Sequence, residues 1–222
     1  MLVASANKPC SVPSVEEILF WYRPRWDSRF GVSQIEILRK LVEFIEEAAA
    51  MPRVVERESS MASEPICNIQ SLDFSKPLFT LEQIREINPQ RFEMEQLSAI
   101  IHVDSSQQVI VGYKQLSHDE FWVRGHMPGF PLMPGVVQCE AAAQLGGFYA
   151  RKYDLIGGDY LGFGGMDDVR FRKPIYPGTR LDLIAKVTRV MARRLAQFNF
   201  QGWVNGELMF EGQMLGVTVN KA

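Results

Sequence analysis

Apolar and polar positions change rhythm once along this chain. Over residues 1–60 the apolar positions recur at helical spacing. Ser14 with Glu17 makes a capping-box pattern opening a short helix through Leu19 and Tyr22, which Pro24 ends. Ser33 with Glu36 starts a longer helix to about residue 50, with Ile35, Leu38, Val42 and Ile45 on one face. Pro52 and the stretch R-V-V-E-R-E-S-S-M-A-S-E-P read as a linker. The chain is therefore expected to divide into an N-terminal helical extension and linker, 1–60, and a second domain, 61–222.

From about Leu72 the spacing shortens toward the period of two that strands show. Thr80 caps a short helix, T-L-E-Q-I-R-E-I, stopped by Asn88-Pro89. Strands are predicted over 97–103, 109–116, 160–164, 168–173, 181–190, 197–204 and 208–219. Leu181, Leu183, Ala185 and Val187 alternate as a half-buried strand requires. Asn205-Gly206 marks a hairpin with a type I′ turn. The one long helix, 136–153, is rich in alanine and carries Gly146 and Gly147 side by side. A single helix among many antiparallel strands predicts an α+β fold, with the sheet curled around the helix. The paired glycines predict close approach of sheet to helix, worth more than the roughly 1 kcal/mol each costs in helix propensity.

Apolar residues make up 46% of the 222, enough for a sizeable core, and the net charge of −2 gives no basis for nucleic-acid binding. Cys10, Cys67 and Cys139 fit neither a disulfide framework nor a zinc site, and suit a reducing compartment. No apolar run approaches a membrane span, and Glu16 and Glu17 argue against a transit peptide, so a cytoplasmic location away from membranes is expected.

The candidate chemistry lies in G-H-M-P-G-F-P-L-M-P-G-V-V-Q-C-E-A-A-A-Q, residues 125–144. His126 sits in a loop shaped by glycine and proline. Pro134 suits the first helical turn, and Gly135 brings an unpaired amide to the positive end of the helix. Glu140 follows roughly 7.5 Å along the axis, at 1.5 Å per residue. Gln144, one turn further, is placed to orient that carboxylate. Each residue alone has a bland reading, as a turn histidine or a solvated glutamate. Together they supply a base, an acid and an oxyanion donor. His102 and His118 lack such company and read as surface or strand residues, and Cys139 reads as buried filler.

These parts suit removal of water from a hydroxyacyl thioester. The C2 proton is too weak an acid for histidine by on the order of 16 kcal/mol. Positioning supplies roughly 7–11 kcal/mol and one oxyanion donor roughly 3–4. Acid assistance at the hydroxyl adds roughly 10²- to 10⁴-fold, so all three must act together.

Residues 125–144 closely resemble the motif of the hotdog-fold (3R)-hydroxyacyl-acyl carrier protein dehydratases of type II fatty acid synthesis. The block G-M-D-D-V-R-F-R-K-P-I-Y-P-G-T-R-L, residues 165–181, is similar to the strand and turn that follow that family's helix. The resemblance spans about residues 72–219. It implies that His126 acts at C2, that Glu140 protonates the departing hydroxyl, and that the Gly135 amide polarises the thioester carbonyl. It also implies that the two side chains of one site come from different subunits, in a homodimer or a trimer of dimers, with no metal or redox cofactor. Glutamate at 140 favours this branch over the similar dehydratase-isomerases, which carry aspartate. The chain departs from the family at Asn88-Pro89-Gln90-Arg91-Phe92, where proline-histidine-arginine is usual, and at Glu93, Glu95 and Gln96, which interrupt an apolar strand.

Phe130, Pro131, Phe163 and Phe171 are candidates for lining an acyl tunnel. Arg170, Arg172 and Lys173 are candidates for meeting an acidic acyl carrier protein or the phosphate of its pantetheine arm. The rival functions are a hotdog thioesterase or isomerase, and a non-catalytic module that binds acyl carriers.

Overall fold

The computed structural model describes residues 64–191 and 193–221, and the helices expected over residues 1–60 lie outside them. In the second unit, Ala62–Ala222, the described residues form six strands and two α-helices. In chain order these are α1 (Leu81–Arg85), β1 (Ala99–Asp104), β2 (Val109–Gln115), α2 (Gly135–Lys152), β3 (Tyr160–Phe171), β4 (Arg180–Met191), β5 (Leu195–Val204) and β6 (Glu207–Val219). The strands form one antiparallel sheet in the order β1-β2-β4-β5-β6-β3. This is the expected α+β architecture of a sheet wrapped on one helix.

The predicted alternation on β4 sets the two faces of the sheet. Leu181, Leu183, Ala185 and Val187 join the main core with Leu145, Phe148 and Tyr149 of α2. Their neighbour Ile184 points the other way, into a second cluster with Val109, Val111, Trp203 and Leu208. Burying a side chain the size of Leu145 or Phe148 contributes roughly 1.5–3 kcal/mol. Helix α2 is buried nearly all round, as a helix enclosed by a sheet must be.

Glycines permit that enclosure. A Cβ on Gly146 would sit 2.7 Å from Met214 Cε and 3.3 Å from the Phe198 ring. One on Gly147 would meet Leu161 at 3.3 Å. The two glycines are thus explained by close packing against β3, β5 and β6.

Asn205 and Gly206, with φ of 50° and 79°, make the left-handed pair that a type I′ hairpin between β5 and β6 requires. The two strands expected over 160–164 and 168–173 are one continuous β3. Its register against β6 shifts between Phe163 and Gly165 and again between Asp167 and Arg170. Asp168, at φ 51°, takes up the second shift. A bulge places polar and left-handed residues mid-strand, and in sequence that mimics a turn. Pro134 is the N-cap rather than a residue of the first turn, and Gly135 opens the helix.

The outer face of the sheet is covered by residues 66–74, where Ile66, Cys67, Ile69, Leu72 and Phe74 pack on the second cluster. Gln201 pins this strap, accepting from Ile66 N at 2.9 Å and donating to the Glu64 carbonyl at 3.0 Å. The Arg180 guanidinium stacks over Phe74, 3.9 Å from its ring centre.

Gly146→Val fills space that Met214 and Phe198 already occupy. It is expected to destabilise the protein by about 1–3 kcal/mol, read from the urea midpoint at unchanged slope.

Candidate active site

His126 is held by its backbone and by its ring. Its N–H donates to the Trp122 carbonyl at 2.7 Å, and Trp122 is buried. Met127 and Gly129, at φ 64° and 84°, turn the chain sharply after it. The ring nitrogen Nδ1 lies 2.8 Å from the Leu132 carbonyl oxygen. A carbonyl oxygen only accepts, so Nδ1 carries the proton, and Nε2 keeps a free lone pair in the neutral ring. The next residue, Met133, is fully buried and donates to the Ile175 carbonyl at 2.8 Å, tying this loop to the segment after β3.

The hollow that His126 lines is shared with Gly135, Val136, Phe171, Arg172 and Lys173. The Gly135 and Val136 amides have no acceptor among the described residues. Both point out of the positive end of an 18-residue helix, where developing negative charge is stabilised. Gly135 lacks a side chain for a second reason as well. A Cβ there would come 2.8 Å from Phe171 Cζ, so the ring of Phe171 occupies the space beside the helix tip.

Glu140 lines a different cavity of about 360 Å³, with Gln90, Gln144, Gly147, Leu161 and Phe163 among its walls. Gln144 Nε2 donates to Glu140 Oε1 at 2.8 Å and to the Met94 carbonyl at 2.6 Å. Gln144 Oε1 accepts from the Gln96 backbone N–H at 2.9 Å. Asn88 Nδ2 donates to the Gln144 carbonyl at 3.1 Å. The orienting bond expected between Gln144 and Glu140 is therefore present, and Gln144 is itself braced by residues 88–96. Within one chain His126 and Glu140 face separate hollows.

Residues 88–96, read in sequence as a helix stop and a departure from a family pattern, supply Asn88, Gln90, Met94 and Gln96 to the Glu140 side. Their signal was present but ambiguous. Glu93, Glu95 and Gln96 break an expected strand because this segment is a short 3-10 turn, Phe92–Met94, with flanking extended residues.

The remaining candidates separate. Phe163 lines the Glu140 cavity and Phe171 the His126 hollow. Phe130 lines neither and sits edge-on to Tyr176, with ring centres 5.7 Å apart, and Pro131 beside it also lines neither. Arg172 Nε donates to Glu211 Oε1 at 2.9 Å, so its charge is engaged within the sheet. Lys173 pairs with Glu207 at 3.1 Å on the surface, and Arg170 lies exposed on β3 opposite Glu211. His102 lies on β1, and His118 packs against Gly178. Among the described residues no cluster of three or more His, Cys, Asp or Glu is placed to hold a metal, and no helix is long and apolar enough to cross a membrane.

A FabA-like domain model matches residues 88–213. The 3-hydroxyacyl-[acyl-carrier-protein] dehydratase FabZ of Roseiflexus sp. (strain RS-1) is 35% identical over 138 residues, 62% of this chain and 95% of that protein. The bifunctional enzyme LpxC/FabZ of Chlorobaculum tepidum is 34% identical over 145 residues, 65% of this chain but only 31% of its own length. Among solved structures, the dehydratase heterocomplex ApeI:P from Xenorhabdus doucetiae shares the fold at a TM-score of 0.53 and 16% identity, covering 62% of this chain and 91% of that one. The chain belongs to the FabA-like domain family. Within it, the chain is a hotdog dehydratase of the FabZ kind.

Two outcomes test the site's construction. Gln144→Leu strands the Gln96 amide and the Met94 carbonyl and takes the shorter donor from Glu140 Oε1, and a loss of about 2–4 kcal/mol in urea unfolding is expected. Burial pushes the Cys139 thiol up to about 11. Cys139 is therefore expected to stay unmodified in the folded protein under iodoacetamide at pH 8, checked by peptide mass spectrometry with urea-unfolded protein as the positive control.

Proposed function

We propose that this protein dehydrates a (3R)-hydroxyacyl-acyl carrier protein to the trans-2-enoyl thioester in type II fatty acid synthesis. The observation that carries this reading is the sharing of one hollow by a free imidazole Nε2 and the free Gly135 amide. A thioester carbonyl oxygen held at that amide brings its C2 proton within reach of the base. His126 takes the C2 proton, and charge moves to the thioester oxygen facing the helix tip. Glu140 then gives its proton to the C3 hydroxyl. The C3–O bond breaks, water leaves, and the C2–C3 double bond forms. Imidazolium and carboxylate return to imidazole and carboxylic acid by passing one proton through solvent.

Because the two side chains face separate hollows in one chain, this reading requires Glu140 from a second copy. The open edge of the sheet supports that arrangement. At the other edge, β1 is capped by Leu78 and Phe79, whose amides both donate to the Ile100 carbonyl at 2.8 and 3.1 Å. Strand β3 pairs only with β6 among the described residues, and it carries the exposed Phe163 and Phe171. A bare edge flanked by exposed aromatics favours pairing with another β3. Dimers so formed are proposed to assemble as a trimer of dimers and to receive substrate on an acyl carrier protein near Lys173 and Arg170. Residues 1–60 are proposed to form a helical extension preceding a dehydratase domain at 61–222, in a cytoplasmic enzyme that needs no cofactor.

The test uses both subunits. His126→Ala and Glu140→Ala are each expected to lower kcat by about 10³-fold or more. After subunit exchange at equal amounts, half the dimers are mixed and each mixed dimer holds one intact site, so activity should return to about a quarter of the unmutated level. If the mixture stays as inactive as its components, the shared site is wrong. If either single variant keeps near-normal turnover, the assigned chemistry is wrong.

A further inference from the structure

We propose that Gln90 is a positioning residue for Glu140, a second amide donor that decides which carboxyl oxygen carries the acid proton. The inference rests on the reading of Glu140 as the acid. Gln90 Nε2 lies 3.5 Å from Glu140 Oε1, the same oxygen that accepts from Gln144 Nε2 at 2.8 Å. The first is a bond at the outer limit of length, and the second is short. An amide N–H only donates, so both contacts assign Oε1 the acceptor's part. When the carboxyl group is protonated, its proton then sits on Oε2. A carboxylic acid without such neighbours places its proton on either oxygen, and only one placement meets a substrate hydroxyl.

The backbone that delivers Gln90 is built for accuracy. One guanidinium, that of Arg91, gathers three carbonyls: Arg85 at 2.8 Å, Asn88 at 2.8 Å and Gln90 at 2.6 Å. Asn88 is anchored at both ends, its N–H to the Ile84 carbonyl at 2.8 Å and its side chain to Gln144. Gln90 therefore approaches the carboxylate from an element separate from α2, and Gln144 approaches from within it.

Packing alone does not explain an amide here. Gln90 Oε1 is buried with no partner among the described residues, which costs stability. Methionine, of similar length, fills the same space without that cost. The titratable groups lining this cavity are Arg85, Glu86, Arg91, Arg151, Asp159 and Tyr160. Arg85 is paired with Glu95, and Arg91 and Arg151 with carbonyls. A change confined to Gln90 therefore leaves these pairs in place.

The experiment measures kcat and KM for Gln90→Met in the full chain, using a 3-hydroxyacyl thioester, alongside Tm. The expected result is kcat lower by about five- to tenfold, the size of one weak hydrogen bond, with KM changed by less than about twofold. Tm should hold or rise. Unaltered kcat in Gln90→Met, or a loss that tracks KM or Tm alone, overturns the proposal. Glu140→Gln separates the two readings. If it turns over normally, the acid assignment falls. If it is inactive while Gln90→Met keeps the normal kcat, only the positioning role falls.

Discussion

The carboxamide of Gln144 is the joint on which the Glu140 side of this molecule depends. It lies on α2, one turn beyond Glu140, and spends its hydrogen-bonding capacity in three directions: Glu140 Oε1, the Met94 carbonyl and the Gln96 amide. Helix, carboxylate and preceding loop are fixed by one buried planar group. Removing it leaves several buried polar atoms unpaired at once, which is why such a group behaves as all or nothing.

The His126 side is made differently. His126 is set by a loop, one buried tryptophan and one carbonyl, and it shares its hollow with the Gly135 backbone amide. Phe171 packs beside that amide where any residue but glycine would collide with it. The two sides draw on one helix, α2: its tip beside His126 and its second turn at Glu140. Gly135 at that tip and Glu140 in the second turn open onto different hollows.

That enclosure also governs what the rest of the sequence must be. Gly146 and Gly147 are small because β3, β5 and β6 press against them, and the strap over residues 66–74 exists because the other face of the same sheet is apolar. The strap was not foreseen, because short apolar residues scattered among polar ones show no period. The continuous β3 was split in two for a related reason, its bulge at Asp168 carrying the marks of a turn.

The sequence by itself determined most of the order of elements, the Asn205-Gly206 hairpin, the inward face of β4, the central helix, the nearness of His126 to Gly135 and the bond from Gln144 to Glu140. All of these depend on local spacing, on turn chemistry or on neighbours within one helix, and local physics is written in adjacent residues. Only the tertiary structure decided that Asn88, Gln90 and Gln96 surround the carboxylate, that Gln201 holds the strap, and that His126 and Glu140 face different hollows. Those contacts join segments far apart in the chain. Their partners are chosen by how the sheet curls, a property of the whole fold that no window of sequence contains.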